Sequence, residues 1–298
     1  MNMRLKSSRI ARLQKSVLLK RFEKCGITAI VLGSPRIGKT TFLAVIALRI
    51  LELYPGEKIF WRGDTDCQWA YLPLQKIRLL LSPEFTYTFV DKERSQPIQI
   101  DKHFHSVEYC YSIREFYDKA LPGLVNVFYM DPNLYVDFFK VLRERGNTEW
   151  ISVFVDEIQE LYPENAPDDL WRRCKAVGDI ITHFPKNNVN FYCATQSYAL
   201  VSYHIKHHMR YWVFMPRTLL PKNLNLRVEQ HKVDALPVGH CIVEGLEGFR
   251  EVSYPKLKLN LSLICYIKPR FEFAKITLSR QELQELKAWG AWLNENSE

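Results

Sequence analysis

The chain has 298 residues, 47% of them hydrophobic and 25% charged, with a formal net charge of +8 at neutral pH. That balance excludes a disordered polymer and is enough for a sizeable core; with no bilayer-length apolar run and no signal-peptide-like N-terminus, a cytoplasmic protein without a membrane-spanning segment is expected. Seven scattered cysteines without a C-x-x-C pair speak for reduced thiols, and the excess of lysine and arginine suits a polyanion, nucleic acid first.

In chain order, Met1 to Lys24 carries eight basic residues against Glu23 alone, with Leu5, Ile10, Leu13, Val17 and Leu18 between them. It reads as a basic amphipathic helix or arm, either solvated on the body or contacting a DNA backbone or a neighbouring subunit. Residues 25–260 read as the main domain and 261–298 as a C-terminal extension with a terminal helix. Ile27 to Leu32 is an apolar, β-branched strand, and Thr41 to Leu53 has helical length and spacing before Tyr54-Pro55-Gly56 stops it. A strand follows at Glu57 to Trp61, then a helical stretch from Asp64 to Leu81 ended by Ser82-Pro83. Runs at Phe85 to Val90 and Val107 to Tyr111 alternate. A helix at Ile113 to Leu121 precedes a strand at Leu124 to Met130 and a helix at Tyr135 to Arg145.

Two nearly continuous apolar strands, Ile151 to Val155 and Val189 to Ala194, carry the pattern of a sheet buried on both faces. A helix is expected over Tyr198 to His208, and short strands at Tyr211 to Met215, His240 to Glu244 and Phe249 to Ser253. Strands alternating with helices predict an α/β fold with a mainly parallel sheet sandwiched by helices.

Between the first strand and helix, Gly33-Ser34-Pro35-Arg36-Ile37-Gly38-Lys39-Thr40 fits G-x-x-x-x-G-K-[ST] at every fixed position. Gly33 and Gly38 let the backbone wrap closely, so that successive N–H groups and the helix start, with Thr41, face phosphates. Lys39 is placed to reach the β- and γ-phosphates of ATP and Thr40 to ligate Mg²⁺. The strand Ile151 to Val155 ends in Asp156-Glu157. Asp156 is the second candidate for Mg²⁺ and Glu157 for general base toward an attacking water, the acidic pair alone being equally a helix N-cap. Gln196, after Thr195 at the end of the next strand, is a candidate sensor of the γ-phosphate, with a plain Thr195 cap as the alternative.

Together GSPRIGKT, ISVFVDE (Ile151 to Glu157), NFYCATQ (Asn190 to Gln196) and LPVGHCIVEG (Leu236 to Gly245) resemble, in order and spacing, the FtsK/HerA superfamily of P-loop NTPases. The resemblance implies a RecA-like core with an additional strand and a catalytic glutamate. It also implies ATP hydrolysis at the subunit interfaces of a homo-oligomeric ring, hexameric or pentameric, and translocation of double-stranded DNA. The compact size looks more like a viral or plasmid packaging-type ATPase than a chromosome pump, with capsid or transfer-machinery proteins as further partners and the host cytoplasm as location if viral. Such a ring needs a cation supplied in trans, for which Arg143, Arg145, Arg172 and Arg173 are candidates because they flank the strand Ile151 to Val155, although each taken singly reads first as a solvated helix residue. A protein-moving morphogenesis or secretion ATPase and an NTP-dependent DNA-binding switch are the alternatives.

The segment Asp64 to Tyr117 fits no pattern of that family. His204, His207 and His208 share a helical face without a carboxylate or cysteine to complete a metal site, so they read as ordinary helix residues, with a pore-facing or phosphate-facing basic patch as the second reading. Trp61, Trp69, Trp171 and Trp212 read as core or interface fillers.

Overall fold

The computed structural model describes residues 17–19, 25–259 and 261–270. The basic arm therefore lies outside the described residues, apart from the turn Val17–Leu19, and so does the expected terminal helix. In chain order the strands are β1 (Thr28–Leu32), β2 (Lys58–Arg62), β3 (Ile77–Leu81), β4 (Phe85–Asp91), β5 (Gln96–Pro97), β6 (Ser106–Tyr109), β7 (Val125–Tyr129), β8 (Ile151–Val155), β9 (Val189–Thr195), β10 (Tyr211–Phe214), β11 (His240–Gly245), β12 (Gly248–Ser253) and β13 (Leu263–Pro269). The longer helices are α1 (Lys39–Leu53), α2 (Tyr135–Arg145) and α3 (Asp168–His183).

Ten strands form one sheet in the order β12-β11-β10-β1-β9-β8-β2-β7-β3-β6. From β10 to β6 every neighbouring pair is parallel, and β11 and β12 add an antiparallel edge. The central strands β1, β8 and β9 are buried along their whole length, which is why they are near-continuous apolar runs. Side chains still alternate between two cores. Ile151, Val153 and Val155 join the layer of α2 and α3, whereas Phe154 joins that of α1. On the α1 side, Trp61, Phe154 and Tyr192 stack across β2, β8 and β9 with ring centroids 5.1 and 4.9 Å apart.

β9 lies between β1 and β8, so the strand feeding the phosphate loop and the strand ending in Asp156-Glu157 are not neighbours. This inserted strand is the additional-strand arrangement expected of a RecA-like core. At the opposite edge of the sheet, Glu57, Ser152 and Asn190 form a buried polar cluster, with Asn190 donating to Ser152 Oγ at 3.0 Å and accepting from the Ile27 N–H at 3.0 Å. Satisfied groups of this kind pin strand register where apolar side chains alone permit slippage.

Three expectations are corrected. The segment from Asp64 to Leu81 is two single turns, Gln68–Tyr71 and Leu74–Lys76, followed by the buried strand β3. Pro73 cannot sit inside a helix, and the leucines of Ile77–Leu81 fill a parallel slot between β7 and β6 despite their helical propensity. Tyr198 to His208 is likewise broken, into the turns Tyr198–Leu200 and Tyr203–Lys206, because Val201 makes a bridge with Pro163. The helix expected over Ile113 to Leu121 ends earlier, at Ile113–Asp118, where Lys119 caps it and the chain turns into β7.

The helix α3 has no bounds in the sequence reading, which marks only Arg172 and Arg173 as helix residues. Its Gly178 accounts for part of that, since glycine argues against a helix interior until its neighbour is seen. A Cβ there would stand 2.2 Å from the carbonyl oxygen of His204, so glycine lets the two segments touch. Gly178→Ala is expected to cost about 1–3 kcal/mol through overpacking, read as a lowered urea midpoint; an unchanged midpoint would show that the contact relaxes freely.

The start of the expected C-terminal extension is β13, which pairs antiparallel with β4 in a small sheet completed by β5. Of the tryptophans, Trp61 and Trp69 are fully buried and Trp171 is exposed. All seven cysteines are free, and burial raises the thiols of Cys67, Cys110, Cys193, Cys241 and Cys265. No helix among the described residues is long and apolar enough to cross a membrane.

Candidate functional site

In a parallel sheet all strands point one way, so the residues following β1, β2, β8 and β9 gather at one edge. The loop Gly33 to Gly38 leaves β1 there. Gly33 is enclosed, since a Cβ on it would lie 2.7 Å from Ile37 Cγ2 and 2.8 Å from Met215 Cβ. Arg36 (φ 62°) and Gly38 (φ 102°) both take left-handed conformations, which turn the backbone back on itself before α1 begins at Lys39. Ser34, Pro35 and Arg36 are exposed around this turn, with Ile37 half-buried behind it. The first N–H groups of α1, including those of Lys39, Thr40 and Thr41, have no partner within the helix. The loop is a concave shell of backbone donors at a positive helix end.

Lys39 is 5% exposed and its Nζ lies 3.3 Å from Ser34 O and 3.7 Å from Glu157 Oε1. Thr40 Oγ1 donates to Asp156 Oδ2 at 2.5 Å and lies 3.1 Å from Gln68 Oε1. Asp156 is buried, and its Oδ1 accepts the Glu157 N–H at 3.0 Å. Burial pushes its carboxyl up to about 6, with the Thr40 hydrogen bond opposing the rise. Glu157 holds φ 46°, a conformation costly for a non-glycine residue, and receives a hydrogen bond from Gln159 Nε2. Adjacent carboxylates thus leave β8 in different directions, one to the Thr40 hydroxyl and one to the Lys39 ammonium. Lys39, Thr40, Asp156 and Glu157 are brought together from two distant stretches of chain.

Other expected residues stand further out. Gln196 is exposed at the end of β9 and makes no side-chain hydrogen bond among the described residues; the Thr195 hydroxyl donates to Ser197 O at 3.1 Å. Arg172 and Arg173 lie in the first turns of α3, on the loop side of the sheet, where Arg173 bonds Asn133 Oδ1. Arg143 and Arg145 close α2 at the opposite end, where Arg145 pairs with Asp118 at 3.5 Å. His204, His207 and His208 pack against Trp171, Tyr203 and one another, and no group of three or more histidine, cysteine, aspartate or glutamate side chains among the described residues is placed to hold a metal ion.

The sequence reading missed Arg62, Asp64, Gln68 and Glu160. Arg62 donates to Asp156 O at 3.3 Å and pairs with Glu160 at 3.2 Å. Burial pushes Asp64 up to about 7, with Arg62 opposing the rise. Arg62, Asp64 and Glu160 line, with Tyr87, Tyr129 and Tyr135, a cavity of about 300 Å³. Their one signal was position, since β2 ends in polar residues at the edge where ligands of parallel sheets gather.

Thr40, Asp156 and Gln68 bring together three hard oxygen donors, a hydroxyl, a buried carboxylate and a carboxamide oxygen. That donor chemistry fits Mg²⁺, which favours one or two carboxylate or hydroxyl ligands completed by water and phosphate oxygens.

No protein-family model and no curated protein matches the sequence. Among solved structures, the chain is similar to the genome packaging NTPase B204 from Sulfolobus turreted icosahedral virus 2 in complex with ATP-gammaS, at 9% identity and a TM-score of 0.51, over 78% of this chain and 99% of that one. The same protein in complex with AMPPCP gives 10% identity and a TM-score of 0.50, over 78% and 100%. The bacterial conjugative coupling protein TrwBdeltaN70 gives 10% and 0.50, over 81% and 92%. At such identities the likeness is one of fold. The chain has the RecA-like P-loop NTPase fold, the one implied by the motifs that resemble the FtsK/HerA superfamily.

Proposed function

We propose that this chain is an ATPase of FtsK/HerA type that moves double-stranded DNA, in genome packaging or DNA transfer, as a ring of identical subunits in the cytoplasm. The observation that carries this reading is the meeting of Lys39 and Thr40 with Asp156 and Glu157 at one sheet edge, with β9 inserted between their strands. Two relatives in fold, a genome packaging NTPase and a conjugative coupling protein, and the +8 charge agree with a DNA cargo.

In this reading the stretch Gly33 to Thr41 cradles the triphosphate, and Lys39 leaves Glu157 for the β- and γ-phosphates. Mg²⁺ held through Thr40 and Asp156 would neutralise charge on the transferring phosphoryl group. Glu157, released from Lys39, takes the proton of the attacking water. Gln196 reads the γ-phosphate from the end of β9, and one of Arg143, Arg145, Arg172 and Arg173 serves a neighbouring subunit's site. Residues 25–260 are the motor domain, between the basic arm 1–24 and the segment from 261 onward.

The test is phosphate release by purified protein with and without duplex DNA, together with its size in the presence of an ATP analogue. Ring formation and several-fold stimulation by duplex DNA are expected. Unstimulated hydrolysis would favour a protein cargo instead. Deleting residues 1–24 is expected to lower DNA affinity and to flatten its dependence on salt, because each lost phosphate contact removes about 0.9 from the logarithmic salt slope. Superimposable salt series would take the arm out of DNA binding.

A further inference from the structure

Gln68 is the polar side chain that reaches this site from a segment no motif covers, and the chain goes to some length to put it there. β2 exits through Gly63, where a Cβ would stand 2.3 Å from the Tyr129 ring, so only glycine passes beneath that ring. The Tyr129 hydroxyl then donates to Asp64 O at 3.0 Å and accepts from Trp69 Nε1 at 3.1 Å, tying both ends of the stretch to one buried side chain. Asp64 Oδ1 accepts the Gln68 N–H at 3.2 Å. Cys67, just before, holds φ 49°, a left-handed conformation costly for a side-chain-bearing residue. A strained and over-determined turn of this sort aims one side chain, and that side chain ends 3.1 Å from Thr40 Oγ1.

The contact has a proton shortage. The Thr40 hydroxyl carries one hydrogen, and the shorter contact, 2.5 Å to the Asp156 carboxylate, takes it as the stronger charge-assisted bond. Oriented with its oxygen toward Thr40, the Gln68 carboxamide faces the hydroxyl with no hydrogen to accept from it; the opposite orientation, in which the amide N–H donates to Thr40 Oγ1, is the arrangement that Gln68→Glu removes. In the first orientation the oxygen is an acceptor held ready beside the residues that fit Mg²⁺, where a metal-bound water offers the missing donor.

We infer that Gln68 is a positioning residue for the magnesium–nucleotide complex, accepting a hydrogen bond from a water on the metal through its side-chain oxygen. This rests on the nucleotide-site reading above and deepens it. Gln68 touches neither the transferring phosphoryl group nor the attacking water; it acts by orienting the hydration shell shared with Thr40 and Asp156. Outer-shell partners of metal ligands commonly contribute about 10- to 100-fold in metal affinity.

The experiment is a titration of Mg²⁺ into wild type, Gln68→Ala and Gln68→Glu, each with a fluorescent ATP analogue, following nucleotide affinity rather than turnover. Nucleotide affinity without metal and thermal midpoint serve as internal references. Gln68→Ala is expected to match wild type in both references and to require about 10-fold more Mg²⁺ for the tight complex. Gln68→Glu, which keeps the acceptor oxygen and cannot donate, is expected to need no more Mg²⁺ than wild type. A Gln68→Ala titration superimposed on wild type overturns the inference. So does a Gln68→Glu protein weakened as much as Gln68→Ala, which would make the amide N–H the working group. A wild-type protein that binds the nucleotide neither with nor without Mg²⁺ overturns the site reading itself, a result distinct from either.

Discussion

Replacing Glu157 by glutamine is expected to leave nucleotide affinity within a few-fold of wild type while slowing turnover by about 10²–10⁴, the usual worth of a positioned general base. The substitution keeps the volume and the acceptor oxygen that Gln159 contacts, and Glu157 is partly exposed, so the fold has little to lose. What goes is the charge that pairs with Lys39 and the capacity to take a proton. Fluorescent nucleotide binding measured beside steady-state phosphate release separates the two effects. Wild-type turnover in Glu157→Gln would remove this carboxylate from the chemistry and return the acidic pair to the plain role of ending β8.

Lys39→Ala is expected to fail earlier, at binding. Lys39 is buried among the loop carbonyl of Ser34 and the carboxylate of Glu157, and no other side-chain cation among the described residues contacts that carboxylate. A charge-assisted contact to phosphate contributes about 1.5–3 kcal/mol, so affinity for ATP should fall by roughly 10- to 100-fold. Lys39→Met retains the apolar stem and should lose as much, which isolates charge from packing. Calorimetric titration of both variants decides it; affinity retained by either would place the phosphates elsewhere.

The parts of this molecule legible from sequence are those where local pattern and long-range demand coincide. A strand buried on both faces has to be largely apolar, so Ile151 to Val155 and Val189 to Ala194 announce themselves, and the residues after them fall at the loop edge because parallel strands end together. The convergence of Lys39 with Glu157 follows from that geometry without knowing which strand lies between. Non-local pairing hid the rest. Ile77–Leu81 has leucines that suit a helix and a place in the sheet set by β7 and β6, and Pro73 was the local sign that a helix could not run through. Gln68 owes its position to a tyrosine sixty-one residues further along the chain. The small sheet depends on β13 meeting β4 from far downstream, a match no short window contains.

That late pairing has a mechanical corollary. β13 is joined to β4 by seven cross-strand residue pairs, and the Cys265 N–H also reaches Thr65 O at 2.8 Å, next door to Asp64 and three positions before Gln68. Tension applied to the polypeptide beyond Arg270 is thus led in shear along a seven-rung ladder into the turn that leans on Thr40. The tail and the phosphate pocket share one lever, with the carbonyl of Thr65 as its point of attachment.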